Sequence, residues 1–301
     1  MQEILIVGSE TMVGHNWLKG SKIHDPEGSH EVSVVGLPLN APASRLQEII
    51  RESNSRNPGT SIVRRVVHCG GAGENGWAIG TSTPFISTQH VSDWARACHE
   101  LHLPMTLISS DAIFTGPWMF HPENSESICP SPAATHLREL EAAVLDASAG
   151  HLVVRTHPFG WHHKKGWLEQ CLGALSKQSP IDMETTRHAS PIYVRDLISM
   201  IQRAWAGGLS GIYHISGAER ISCAQFVHRL AHVFQLEAQR MRPLHPLEVR
   251  VSRFAAGETS LQTRKIRRAL GISMPMFMDS LYALRKEAEA QNFLNQEMIA
   301  A

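Results

Sequence analysis

Ile4-Leu5-Ile6-Val7 is an unbroken apolar run that stops at Gly8. Four consecutive apolar residues leave no solvent face, so the segment fits a strand covered on both sides of a sheet. Met12 to Lys19 then reads as a helix, entered through a turn between Gly8 and Gly14. Glu31 to Val35 is a second strand, Arg45 to Glu52 an amphipathic helix, and Ser61 to Val67 a strand running into Cys69-Gly70-Gly71. Val91, Trp94, Ala95, Cys98 and Leu101 fall at helical spacing. Met105 to Ile108 is a strand ending at Ser109-Ser110-Asp111; Leu137, Leu140, Val144 and Ala147 mark a helix, and His151 to Arg155 a further strand. Strand and helix alternating over about 150 residues imply right-handed βαβ units, and hence an α/β protein with a doubly wound parallel sheet.

In such sheets the ligand crevice lies outside the carboxyl ends of the strands. Gly8, Gly70 and Ser109-Ser110 all fall there. After Arg155 the rhythm changes. Loops lengthen, and helices are expected at Ala224 to Phe234, Leu261 to Leu270 and Met278 to Gln291. The expected division is a sheet domain over 1–155, rejoined by a helix near 191–206 and a strand near 211–216. A smaller lobe is formed by 156–190 and 217–301. Lys+Arg and Asp+Glu each number 28, so no net charge draws the chain to nucleic acid or an anionic membrane. No apolar run approaches a membrane span. The N-terminus enters the first strand with no basic, secretion-type leader. Five widely spaced cysteines form neither a disulfide framework nor a zinc knuckle, and read as reduced thiols of a cytoplasmic protein.

Five motifs now stand in order: the opening strand with Gly8 and Gly14, Ile108-Ser109-Ser110-Asp111-Ala112-Ile113-Phe114-Thr115-Gly116, Arg155-Thr156-His157-Pro158-Phe159-Gly160, Ser190-Pro191-Ile192-Tyr193-Val194-Arg195-Asp196-Leu197, and Gly211-Ile212-Tyr213-His214-Ile215-Ser216-Gly217. Ser260-Leu261-Gln262-Thr263-Arg264-Lys265 follows them. Together they resemble the extended short-chain dehydrogenase/reductases, in particular the dTDP-4-dehydrorhamnose reductase (RmlD-like) branch. The resemblance implies a Rossmann-like fold, a smaller C-terminal substrate lobe, and reduction of a 4-keto nucleotide sugar by NAD(P)H. It assigns the cofactor to Gly8, Thr11, Met12, Gly14, Gly70, Gly71 and Ser109. It assigns the nucleotide sugar to Trp161, His162, Arg187 and Ser190, with Lys164 and Lys165 beside them.

The working parts depart from that family. Its phosphate loop is Gly-x-x-Gly-x-x-Gly, but the middle glycine here is Thr11, and Glu10 adds a carboxylate beside an anion site. The second strand ends near Gly36-Leu37-Pro38, with neither an acid for a ribose hydroxyl nor an arginine for a 2′-phosphate, so NAD and NADP stay undistinguished. The family's Tyr-x-x-x-Lys pair places a phenol and an ammonium on one helix face. Here Ala133 and Leu137 take those positions; a shift by one gives Ala134 and Arg138. No tyrosine precedes Tyr193, and the literal Tyr282 to Lys286 match lies on the last helix. Ser110 remains as a residual hydroxyl, and His136 is the candidate replacement acid. His157, His162 and His163 lack a neighbouring carboxylate or cysteine at ligand spacing, so no metal is expected. The reading that follows is a non-catalytic relative that binds a nucleotide sugar or dinucleotide and serves another enzyme of the same pathway. The alternatives are an active reductase or epimerase with displaced acid/base groups, and an enzyme whose cofactor does other chemistry.

Overall fold

In a computed structural model, residues 2–20, 23–24, 31–56, 62–74, 77, 86–162, 166–183, 185–238, 241–243 and 257–290 are described. The central sheet is built from β1 (Gln2–Val7), β2 (Ile23–His24), β3 (Glu31–Leu37), β4 (Ile62–His68), β5 (Met105–Ser110), β6 (Leu152–Thr156) and β7 (Gly211–His214). Their order is β7-β6-β5-β4-β1-β3-β2. Six strands run parallel, and the two-residue β2 pairs antiparallel at the edge. The chain order reverses across β1, whose Leu5 sits opposite Val35 of β3 and Val66 of β4. That reversal opens the crevice at the carboxyl ends of β1 and β4.

The unbroken apolar run of β1 has the cause its pattern suggests. Ile4 and Ile6 face one apolar cluster with Val67, Ile108, Val154 and Trp17, while Leu5 and Val7 face a second with Val66, Leu107, Val153 and Trp94. Helices cover both faces: α1 (Met12–Lys19) and α6 (Val194–Ala206) on one, α2 (Ser44–Arg56), α3 (Thr88–Glu100) and α4 (Pro132–Ala147) on the other. Trp17 of α1 stacks on Trp205 of α6 at 5.4 Å, and the Trp205 indole N–H donates to Thr106 Oγ1 at 2.9 Å. The polar end of that large ring is therefore satisfied as it is buried.

The remaining helices are α5 (Trp167–Ser176), α7 (Cys223–Phe234), α8 (Arg264–Leu270) and α9 (Phe277–Ala290). Phe226, Phe277 and Phe159 meet edge-on or tilted at 5.0 to 5.7 Å, within the same apolar cluster as β1 and α1. The residues expected in a smaller lobe thus share packing with the sheet. β7 pairs with β6, and α6 packs on the sheet. Helix α8 begins at Arg264, not at Leu261, because Leu261 pairs with His121 and Thr259 N–H donates to His188 O. Those backbone groups are committed before the helix begins.

Candidate functional site

The turn from β1 into α1 is shaped by its glycines. Gly8 has φ +96°, and a Cβ on Gly14 would lie 2.1 Å from the Gly8 carbonyl oxygen. Only glycine lets the helix start this close to the strand. Thr11, where the family has its middle glycine, caps the helix. Its Oγ1 accepts from Gly14 N–H at 3.1 Å and donates to Gly8 O at 2.7 Å.

A helix N-terminus has free N–H groups and a positive dipole end, which is why it holds phosphate. Here those donors are used within the chain. Met12 N–H donates to Glu74 Oε1 at 3.3 Å, and Val13 N–H to Gly73 O at 3.0 Å. Glu10 folds outward and accepts from Leu39 N–H, just past the end of β3, at 2.9 Å. The segment after β4 is pinned in place: Gly71 and Ala72 N–H both donate to Ile108 O at 3.1 Å, Gly70 N–H donates to His68 Nδ1 at 3.1 Å, and Glu74 meets His162 Nε2 at 3.2 Å. A Cβ on Gly73 would fall 2.7 Å from Thr11 Cβ, so the two segments are in direct contact. Gly8, Thr11, Met12, Gly14, Gly70 and Gly71 therefore do come together, but around a carbonyl and a carboxylate of the chain itself. A dinucleotide pyrophosphate does not fit this arrangement. The nearby Cys69 thiol is pushed up to about 12 by burial and is inert.

At the ends of β5 and β6 lies a buried polar cluster. Ser110 Oγ accepts from Ala112 N–H at 3.1 Å and donates to Asp111 Oδ1 at 3.2 Å, which caps the single turn that follows the strand. Asp111 Oδ2 meets His157 Nδ1 at 2.9 Å and accepts from Thr259 Oγ1 at 2.6 Å; both side chains of the Asp–His pair are 2% exposed. Burial alone would raise the Asp111 carboxyl. The His157 charge and hydrogen bond, Thr259 and Arg187 outweigh it and hold the group below the ordinary carboxylate value. His157 Nε2 is buried and has no partner among the described residues, and the Trp77 ring packs tilted on the imidazole with 4.4 Å between centroids. A histidine oriented through Nδ1 by a carboxylate, with Nε2 uncommitted, has the form of a general acid/base.

A family model described as RmlD substrate binding domain matches residues 82–289. The chain belongs to this family. Among solved structures, the dTDP-4-dehydrorhamnose reductase of Bacillus anthracis str. Ames, in complex with NADP, superposes with a TM-score of 0.78 at 18% identity, covering 95% of this chain and 100% of that one. The dTDP-4-dehydrorhamnose reductase ortholog of Clostridium acetobutylicum gives 0.74 at 14%, with 96% and 100% covered. The dTDP-glucose 4,6-dehydratase of Bacillus anthracis, in complex with NAD, gives 0.69 at 13%, with 96% and 97% covered. At these identities the likeness is one of fold. No curated protein matches in sequence.

The RmlD-like framework locates the remaining expected residues. Ala133 is half-buried in the first turn of α4, and Leu137 is buried against Ala112, Ile113, Phe114 and Leu261. His136 Nε2 bonds Ile86 O at 2.9 Å, so that nitrogen is already engaged. Tyr282 is exposed on α9. Two expected crevice residues turn away. Ser109 Oγ donates to Glu141 Oε1 at 2.5 Å, inside a buried ion pair between Glu141 of α4 and Arg155 of β6. The Trp161 indole is 3% exposed in the apolar core and donates to Leu284 O at 3.2 Å, because an indole ring gains more from that packing than from a polar loop. Arg187 lies by Asp111, and Ser190 Oγ accepts from Leu261 N–H at 3.3 Å. His163, Lys164 and Lys165 lie outside the described residues. Among the described residues no group of three His, Cys, Asp or Glu side chains could hold a metal, and no helix is long and apolar enough to cross a membrane. All five cysteines are buried, and none forms a disulfide.

Sequence reasoning passed over Asp111 as a partner for His157. The signal was present: each residue directly follows a strand, and β5 and β6 are neighbours, so both side chains emerge at one end of the sheet. Glu74 gave no such signal.

Proposed function

We propose that this RmlD-like protein is an accessory or regulatory protein and not a reductase. It keeps the nucleotide-sugar crevice without the Tyr/Lys chemistry. The observation that carries this reading is on α4, where Ala133 and Leu137 stand in place of the phenol and ammonium that the family resemblance puts there. Leu137 is committed to an apolar cluster, so the loss extends to the surroundings that a charged amine would need. The filled phosphate loop supports the same reading. NAD(P) binding would require Gly73 and Glu74 to leave the α1 N-terminus. A nucleotide sugar would meet His162, Arg187 and Ser190, in a protein divided into a sheet domain (1–155 with the helix near 191–206 and the strand near 211–216) and a lobe (156–190 and 217–301). Its protein partner would be another enzyme of the same cytoplasmic pathway. The test is NADPH or NADH consumption with a 4-keto nucleotide sugar. No rate above the protein-free control is expected, and sustained turnover would overturn the reading.

The Asp111–His157 pair favours one alternative, an active reductase or epimerase with a displaced proton donor. In that case turnover is present and falls on His157→Gln.

A further inference from the structure

Helix α8 carries a cluster of arginines. Arg264, Arg267 and Arg268 stand at i, i+3 and i+4, on one helix face. All three line a groove of about 520 Å³ together with Phe120, Gln262 and Thr263. Among the described residues none of the three forms an ion pair and no carboxylate lines the groove. Two carboxylates of the flanking segments are engaged elsewhere: Glu219 with Arg229 at 2.7 Å and Glu258 with Arg220 at 2.5 Å. Lys265, in the same turn, donates to Ile212 O at 2.6 Å and sits over the Tyr213 ring at 4.0 Å.

The aromatic wall of the groove is held in an unusual backbone state. Phe120 has φ +55°, rare for a bulky side chain, and its N–H donates to Ser260 Oγ at 2.9 Å. His121 then pairs with Leu261, three residues before Arg264. Backbone strain of this kind persists where the surroundings over-determine it, and ligand clamps are among such places. The loop and the start of α8 are therefore one preformed unit. It lies along β7, four strands from β1 and so about 19 Å across the sheet from the filled phosphate loop.

We propose that this groove is a binding site for a nucleoside diphosphate, distinct from the filled phosphate loop. Guanidinium groups offer forked N–H donors that match phosphate oxygens. Three of them on one face balance the charge of a diphosphate. Phe120 supplies a flat apolar surface for a base, and Gln262 and Thr263 supply polar groups at the rim. The site does not depend on whether the crevice turns over, so its failure would leave the accessory reading untouched.

The test is calorimetric titration of the full chain with ADP, UDP, inorganic pyrophosphate and an octaglutamate peptide. Saturable binding of ADP or UDP is expected, at least about tenfold tighter than pyrophosphate or the peptide. The surface double variant Arg267→Gln/Arg268→Gln should keep its melting temperature and weaken nucleotide binding at least about tenfold. Phe120→Gly relieves the backbone strain, and should reduce nucleotide affinity to that of pyrophosphate. The proposal is overturned if neither nucleotide binds, if the peptide or pyrophosphate binds as tightly, or if the double arginine variant binds nucleotide as the parent does.

Discussion

Glu141 is the residue whose removal the structure prices most clearly. Its carboxylate accepts from Ser109 Oγ at 2.5 Å, from Arg155 Nε at 3.0 and 3.1 Å, and from Arg155 Nη2 at 2.7 Å. The Glu141 and Arg155 side chains are 4% and 8% exposed. In Glu141→Ala the Arg155 guanidinium would stay buried, keeping Glu123 O, at 3.0 Å, and the Phe114 ring, at 5.3 Å, as neighbours among the described residues. Leaving one member of a buried pair uncompensated costs about 3–5 kcal/mol. For a chain of this length, that corresponds to a fall in melting temperature of roughly 5–8 °C. Urea unfolding of Glu141→Ala, Arg155→Met and the double variant Glu141→Leu/Arg155→Met measures it. The double variant removes both charges and should cost less than the sum of the singles. A loss under about 1 kcal/mol in Glu141→Ala, or strict additivity in the cycle, would refute the reasoning.

Two further outcomes follow from buried groups. Burial pushes His68 down to about 3, with His90 adding to the effect, and His214 down to about 3, with the Arg155 charge adding. The unfolded chain takes up both protons below about pH 6.5 while the folded chain does not until about pH 3, so each histidine costs about 1.4 kcal/mol of stability per pH unit in between. Asp111 works in the opposite sense but at lower pH, since its depressed value stabilises the fold above the ordinary carboxylate range. Unfolding free energies measured between pH 6 and 5 should therefore fall less steeply for His214→Gln, by about 1.4 kcal/mol per unit, and an unchanged slope would contradict this. At the phosphate loop, Glu74→Ala frees the Met12 N–H. Saturating inorganic pyrophosphate should then raise the melting temperature by about 2 °C more than in the parent, the effect of a roughly tenfold gain in affinity; equal shifts would show that Glu74 does not compete.

β1, β5 and β6 were legible because their apolar runs are forced by two-sided burial, and the β1 turn because Gly8 and Gly14 leave little choice. The absence of a phenol from the first 192 residues was equally plain, since it depends on residue identity alone. What stayed hidden depended on direction. Ser109 and Ser110 are adjacent, and strand alternation sends one toward Glu141 and the other toward Asp111. Trp161 was expected at the crevice from its loop position, but the size of its ring drew it into the core. Glu74 meets α1 from 62 residues away, a distance no local pattern encodes.

Hydride delivery is the event that decides between a retired crevice and a working one. Incubation with NADPH deuterated at the transferring position and a 4-keto nucleotide sugar, followed by mass spectrometry of the sugar, reads it directly. The missing phenol and ammonium and the occupied phosphate loop together predict no deuterium in the product. One deuterium per reduced sugar, lost in His157→Gln, would contradict that and assign the chemistry to the Asp111–His157 pair.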